Sequence, residues 1–441
     1  MMGSIIRGSA LTVVGMAAAS VLEYVYFLYA ANKLPAAQFG LLSASVSVLT
    51  ILLALGTAGI GTTLTRFVAD SKRTLPQSVY VTSGLVLELV VSLVLAVALA
   101  LVALILLPES RFADLGRPLL VVAAIFPLTS IAVVLPMIFL GLSRIVLYNG
   151  TVLVYTAARV AALVPLVALG FGVEGALAAF LVGGLATLLF CWPWVRELLH
   201  RDGLDLTTLR TLVRFSLPVT ATTFLVALFV RADVVLLKLL STGEVNVVVG
   251  QYTAPAVLAR GIFYLASAVP LMMLPAVASA DRIPFATLGR LIVMLSGLFA
   301  LAWILAYWLA SPLVDLLFPP GLQSFSYLLP HLVLAMSLLT LASLLANVLI
   351  AARRPTSSTI ALSTGFGIFV LVALLLVPGR RLPEPLSWEL PALGPEGIVI
   401  GLVLGCAVAL LLQVPPLLRL RSEARAGLGL TPLPPSEKDA A

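Results

Sequence analysis

The sequence predicts an all-α polytopic membrane protein of about 12 transmembrane helices in two parallel six-helix repeats, and three observations carry that prediction. The 441-residue chain is 61% hydrophobic and only 10% charged, whereas a water-soluble surface needs about a quarter charged residues. Apolar stretches of the roughly 20 residues needed to cross about 30 Å of hydrocarbon recur along its whole length. The second half also repeats the first: at an offset of 210, Glu23 falls on Asp233, Gly40 on Gly250 and Arg144 on Arg354. Near the end of each copy the offset becomes 222, where Gly172-Val-Glu-Gly175 returns as Gly394-Pro-Glu-Gly397 and Gly183 as Gly405. The second copy therefore carries an insertion around Gly379 to Pro391. Such self-similarity in an apolar chain is the signature of a transporter built from two lobes, with its site where they meet.

The first copy holds spans at 8–31, 41–65, 78–107, 118–142, 148–170 and 174–195. The second holds spans at 212–240, 247–278, 287–309, 323–350, 357–377 and 397–417. An even number of spans returns each copy to its starting side, so the repeats run parallel, about an axis along the membrane normal. Prolines stand well inside several spans: Pro127, Pro136, Pro165, Pro218, Pro255, Pro270 and Pro275. Membrane helices tolerate them where neighbours satisfy the freed carbonyls. Pro255 and Pro270 bracket Arg260 and mark the eighth span as the first candidate for a bent, moving element.

Residues 1–200 are read as an N-terminal six-helix lobe, 201–214 as a partly helical inter-lobe linker, 215–418 as a C-terminal lobe, and 419–441 as a cytoplasmic tail whose Pro/Gly/Ala/Ser stretch after the basic residues is disordered. The Pro-rich loop Pro378 to Pro395, with Trp388, reads as an ordered interfacial cap. Most of the 26 Lys and Arg residues, among them Arg66, Lys72, Arg73, Arg196, Arg201, Arg353, Arg354, Arg419 and Arg421, fall on the side of the termini. By the positive-inside rule this predicts a multi-pass protein of the cytoplasmic (inner) membrane with both termini cytoplasmic.

The net charge of +7 follows from that bias and from contact with anionic membrane lipids. No basic patch interleaved with aromatics suggests nucleic-acid binding. Cys191 and Cys406 lie inside spans in no ligand-like spacing and read as packing residues, so no metal site is expected. His331 and His200 read as ordinary polar residues, and Tyr24, Tyr26, Tyr29, Tyr252 and Tyr264 suit either sugar contact or packing. Metalloprotease, Walker and nucleophile-elbow motifs are missing, so the chain is expected not to be an enzyme and to need no cofactor.

Six ionisable residues lie deep in the spans: Glu23, Glu88, Arg159, Arg231, Asp233 and Arg260. Each facing lipid would cost about 2.5–3.5 kcal/mol on insertion scales, so all must face protein or water. They can be internal ion pairs, three cations against three anions, or they can mark a substrate or ion route. Glu23 and Asp233 are repeat equivalents, whereas Arg159, Arg231 and Arg260 fall on Phe369, Val21 and Thr50. An asymmetric arginine set on a symmetric scaffold looks like a binding site added to a fold. Arg231 and Asp233, two apart on a helix, point to different sides and do not pair with each other. Guanidinium forks in a low-dielectric setting suit phosphate, so Arg159, Arg231 and Arg260 are the substrate-binding candidates and the ligand is expected to be anionic. Glu23, Asp233 and Glu88 are ion-coupling or structural, with H⁺ or Na⁺ as the coupling ion.

Leu34-Pro-Ala-Ala-Gln-Phe-Gly40, Thr65-Arg66-Phe67, Gly141-Leu-Ser-Arg144, Gly172-Val-Glu-Gly175, Arg231-Ala-Asp233 and Val249-Gly-Gln-Tyr252 resemble the polysaccharide-precursor (lipid-linked oligosaccharide) flippases. These belong to the multidrug/oligosaccharidyl-lipid/polysaccharide exporter superfamily, and the similarity runs over essentially the whole chain. The resemblance implies a two-lobed V with a central cavity, alternating between inward-open and outward-open states. It implies a polyprenyl-pyrophosphate-linked oligosaccharide as cargo, with glycan-assembly machinery as a partner. Cationic cavities in that family fit Arg159, Arg231 and Arg260, and Glu23 matches the first-helix carboxylate used for ion coupling in the drug-exporting branch. The competing reading is a cation-coupled multidrug exporter of the same fold, whose mostly cationic substrates three arginines would repel. A membrane glycan polymerase would need a larger outer loop than this chain offers.

Overall fold

A computed structural model describes residues 2–70, 76–106, 108, 110, 112–199, 206–266, 285–352, 354–378 and 392–425. Among them are twelve long α-helices and no strand. The first six are α1 (Met2–Lys33), α2 (Ala36–Asp70), α3 (Gln77–Leu101), α4 (Gly116–Gly141), α5 (Ile145–Ala168) and α6 (Gly172–Val195). The second six are α7 (Leu206–Leu240), α8 (Val245–Ala266), α9 (Phe285–Leu317), α10 (Leu329–Ala351), α11 (Pro355–Leu376) and α12 (Pro395–Arg425). Ten are long and apolar enough to cross a membrane. The remaining two, α7 and α8, carry Arg231, Asp233 and Lys238, and Asn246 and Arg260. The chain is a multi-pass membrane protein.

The helices pack as two six-helix lobes with the same internal contacts. α1 lies on α5 as α7 lies on α11; α2 on α4 as α8 on α10; α3 on α4 as α9 on α10; and α5 on α6 as α11 on α12. Local geometry repeats as well. Arg144 N donates to Phe139 O at 2.8 Å, and Arg354 N donates to Leu349 O at 2.8 Å, closing the same turn in each lobe. Gly172 and Gly394 both take positive φ, +54° and +52°, at the starts of α6 and α12, where a Cβ would be strained. A Cβ on Gly183 would stand 2.8 Å from Tyr155 O, and one on Gly405 would stand 2.6 Å from Gly365 O, so the same glycine brings the last two helices of each lobe to backbone contact.

The face on which α1 turns into α2 is termed distal and the opposite one proximal. At the distal side a single apolar core runs through both lobes, from Tyr26, Phe39 and Phe126 to Phe229, Phe263 and Leu332. At the proximal side the core divides. One cluster, around Leu64, Ile138 and Cys191, belongs to the first lobe and takes in Leu212 of α7. Another, around Leu295, Phe299 and Leu344, belongs to the second. Among the described residues the lobes thus share one core at the distal end and have separate cores at the proximal end, where α7 still packs on α2 through Phe67 and Phe215, a V closed along one seam. The two seams between lobes differ too. α2 packs against α7 over a far longer stretch than its repeat image, α8 against α1.

The bounds of two expected segments become definite. The linker expected at 201–214 is helical from Leu206 onward. α12 passes through Pro415 and Pro416 and continues to Arg425, past the expected end of its span at 417, so the basic start of the tail is helical. Proline removes one hydrogen bond but holds φ near its helical value, and the end of a helix has solvent to satisfy the freed carbonyl. Pro270, Pro275 and the cap around Trp388 lie outside the described residues.

Candidate functional site

The charges expected inside the membrane converge on two clusters, one in each lobe, with Arg231 between them. In the first lobe, α1 presents Glu23 and α5 presents Arg159, whose Nη2 pairs with Glu23 Oε2. The Arg159 guanidinium is enclosed by rings, its Cζ standing 4.6 Å from the Phe180 centroid, 4.8 Å from Tyr26 and 5.6 Å from Tyr155. Such faces attract a cation where water is scarce. The Arg159 side chain is 4% exposed against 25% for Glu23, so the carboxylate is the accessible member of the pair.

In the second lobe, Asp233 on α7 is 1% exposed and fully engaged. Arg260 Nη2 on α8 donates to both of its carboxylate oxygens at 2.7 and 2.8 Å, Tyr252 OH donates to Oδ2 at 2.9 Å, and Val234 N donates to Oδ1 at 2.8 Å. Arg260 Nε donates to Val230 O at 2.8 Å. Tyr252 and Arg260 are eight residues apart on α8, two helical turns, which puts them on one face toward Asp233. Phe369, the repeat image of Arg159, leaves Asp233 without a cation from α11; it lies 6.3 Å from Phe229 in a stacked pair. The cation comes from α8 instead.

Arg231 points the other way from Asp233, as a separation of two residues requires. From α7 it reaches the opposite lobe, with Nη2 at 4.0 Å from Glu23 Oε1 and Cζ at 5.7 Å from the Phe27 ring of α1. Among the described residues its one close hydrogen bond is Nη2 to Tyr264 OH, 3.1 Å, and neither its Nε nor that of Arg159 has a partner. Tyr24 OH of α1 donates to Leu258 O of α8 at 3.0 Å beside it, so the lobes touch here. Glu88 on α3 stands apart, bound by Ser130 of α4 and with no cation beside it among the described residues.

The expected set is therefore divided. Glu23, Arg159 and Arg231 form one interlocked group, Arg260 and Asp233 a second, and Glu88 is alone. Two of the three arginines have close carboxylate partners, and Arg231 shares one. Of the tyrosines read as sugar contacts or packing, Tyr252 and Tyr264 hydrogen-bond to these groups, while Tyr24, Tyr26 and Tyr29 donate to backbone carbonyls. One cluster escaped the sequence analysis: Lys238 at the distal end of α7 donates to Asp114 at 2.6 Å and to Asn246 at 2.5 Å, and Asn246 donates to Asp114 at 2.6 Å. Asp114 precedes α4, so this trio bridges the lobes beside the pocket lined by Ala37, Phe112 and Glu244. Lys238 at the end of an apolar helix was its only signal, because helix ends draw basic residues for many reasons. Cys191 and Cys406 are buried and free, and His331 is exposed. Among the described residues no group of His, Cys, Asp and Glu suits a metal.

Residues 5–280 match the model of the family described as polysaccharide biosynthesis protein. No curated protein matches the chain. Solved structures resemble it in fold. An inward-facing multidrug resistance MATE family transporter of the MOP superfamily superposes with TM-score 0.65 at 17% identity, covering 92% of this chain and 96% of that one. The eukaryotic MATE transporter AtDTX14 gives 0.65 at 14% identity, and a mutant of the Vibrio cholerae MATE transporter VcmN gives 0.64 at 15%, each covering 96% of this chain and 98% of its own.

Proposed function

The chain belongs to the polysaccharide biosynthesis protein family, and we propose that it is a flippase carrying a polyprenyl-pyrophosphate-linked oligosaccharide across the cytoplasmic membrane by alternating access. The observation that carries this reading is Arg231, a cation 4% exposed at the meeting of the lobes, with an unpartnered Nε and its nearest carboxylate only at 4.0 Å. A guanidinium short of acceptors in a poorly hydrated place is suited to an anion that brings several oxygens, as a pyrophosphate does. Arg159 lies on the other side of Glu23, so Glu23 holds the position between two guanidiniums that a cargo phosphate would take. Arg260 serves as framework in this conformation, since its Nε and Nη2 are engaged.

The basic bias of the proximal connections supports a cytoplasmic proximal face. The V then opens inward, toward the leaflet where the lipid-linked sugar starts. Glu23 is the carboxylate that takes the coupling H⁺ or Na⁺, because displacing it from the arginines frees them for cargo. Glycan-assembly machinery receives the product, and no chemistry is done on the cargo.

The second reading, a cation-coupled multidrug exporter, draws on one observation: Glu23 is a 25% exposed carboxylate in the first helix, open to a cation. Transbilayer movement of a fluorescent polyprenyl-pyrophosphate oligosaccharide in proteoliposomes separates the two. The native chain is expected to move the probe, and Arg231→Gln to lose most of that movement at equal folded amounts. Export of an organic cation, with no movement of the lipid probe, would overturn the flippase reading.

A further inference from the structure

Among the described residues, Glu88 is the one charged-type side chain in the middle of the first lobe that the proposed cargo site does not use. It is 0% exposed. Oε1 accepts from Ser130 of α4, and Oε2 has no partner among the described residues. The backbone of α2 comes close here: a Cβ placed on Gly56 would meet Leu95 at 3.5 Å, the Phe126 ring at 3.7 Å and Glu88 Oε1 at 3.9 Å, and one turn along α3 the buried Ser92 donates to Leu89 O. The carboxyl therefore sits where α3, α4 and α2 come together, over a stretch of α2 that has no side chain.

Charged groups on the helices packed against α3 are few. α4 offers Arg117 in its first turn, and α2 offers Arg66 and Asp70 near its opposite end. α7 offers Arg210, Arg214, Arg231, Asp233 and Lys238, the last three with the partners described above. None of them forms an ion pair with Glu88 among the described residues. The contrast with Glu23, which has two guanidiniums within reach, is direct. An ionised carboxylate without a counter-ion or a full set of donors is the most costly group to hold in a dry interior, and the group takes a proton instead. A metal cation is a poor alternative occupant, because one carboxylate and one hydroxyl fall well short of the six or so oxygens a hard cation requires.

We propose that Glu88 is a proton-binding site, occupied in this conformation as the neutral carboxylic acid, whose release of the proton favours a conformation in which water reaches the seam of α3, α4 and α2. α2 is the helix through which the first lobe grips the second, along α7 and at α8. A charge created on Glu88, against Gly56 of α2, therefore bears on the inter-lobe packing as well as on its own lobe. The site is independent of what the lobes carry, and it is separate from Glu23.

Infrared spectroscopy of the purified chain in proteoliposomes tests it without any cargo. The native chain is expected to show the carbonyl band of a protonated carboxylic acid at neutral pH that Glu88→Gln lacks. Ser130→Ala should keep the band and shift it, because the one hydrogen bond to Glu88 is gone. Absence of any band attributable to residue 88 at neutral pH overturns the proposal. Spin labels on the proximal ends of the two lobes give the second readout. In the Glu23→Gln background, their separation should change with rising pH and stay fixed when Glu88→Gln is added; the same change in both overturns the conformational half.

Discussion

Glu23 and Asp233 are images of one another under the repeat, yet they live in opposite circumstances. Asp233 accepts from two Arg260 contacts, a tyrosine and a backbone amide, and is 1% exposed. Glu23 rests on Arg159, lies at the edge of Arg231's reach and is 25% exposed. A fully donated carboxylate is fixed and has nothing left to give a ligand, whereas one with a spare flank and an open side can exchange partners. The two lobes have taken a common position in different directions, toward bracing in the second and toward exchange in the first.

The largest expected effect is on the braced side. Asp233→Ala strands Arg260 in the interior, and breaking a buried pair in this way costs about 3–5 kcal/mol. Unfolding in detergent should register that loss, and the double change Asp233→Leu with Arg260→Met should recover most of it. If Asp233→Ala left stability unchanged while abolishing transport, the division between bracing and exchange would be reversed. Next comes Arg231→Gln. Losing charge-assisted hydrogen bonds to a phosphate is worth about 1.5–3 kcal/mol, roughly a 10- to 100-fold drop in transport of the pyrophosphate probe, with a smaller change in stability than Asp233→Ala gives. Equal damage to both properties would make Arg231 one more brace.

Glu23→Gln sharpens the comparison further, since it removes the carboxylate that occupies Arg159 and Arg231. The probe should be retained more tightly and released more slowly, seen as a lower dissociation rate with little loss of binding. The smallest effect is expected at the distal trio. Lys238 bonds Asp114, whose side chain is 34% exposed, so solvent screens the pair. Asp114→Asn should cost about 1 kcal/mol or less and shift the lobes slightly toward distal opening, read by spin-label distances across that face. A loss comparable to that of Asp233→Ala would place the main brace at the distal end instead.

Much of the fold is legible in the sequence because its determinants are local or periodic. Apolar length marks the helices, and the repeated Gly172 and Gly394 mark turns that require positive φ. The intramembrane charges stand out because lipid penalises them wherever they face. Their pairing is not legible. Arg159 is 136 residues from Glu23, and whether Asp233 is served from α11 or α8 depends on which helix carries the arginine and how closely it packs. The division of the proximal core is hidden for the same reason: both lobes have similar apolar faces, and only the packed structure decides which of them meet. The full length of α12 is hidden too, since Pro415 and Pro416 interrupt its pattern although prolines near a solvated helix end are tolerated.

Gly40 and Gly250 occupy a special place in this arrangement. A Cβ on Gly40 would stand 2.7 Å from Gly250 N, and one on Gly250 would stand 3.2 Å from Gly40 N, so each residue touches its own image. That is the isologous contact of a twofold dimer, closed inside one polypeptide. Two identical halves could make this contact and every other symmetric one. What they could not make is an arginine present in one half and a phenylalanine in the other, as at Arg159 and Phe369. Joining the halves in one chain lets each position change without its image changing, and the asymmetric charged centre is the kind of feature that only a fused pair can possess.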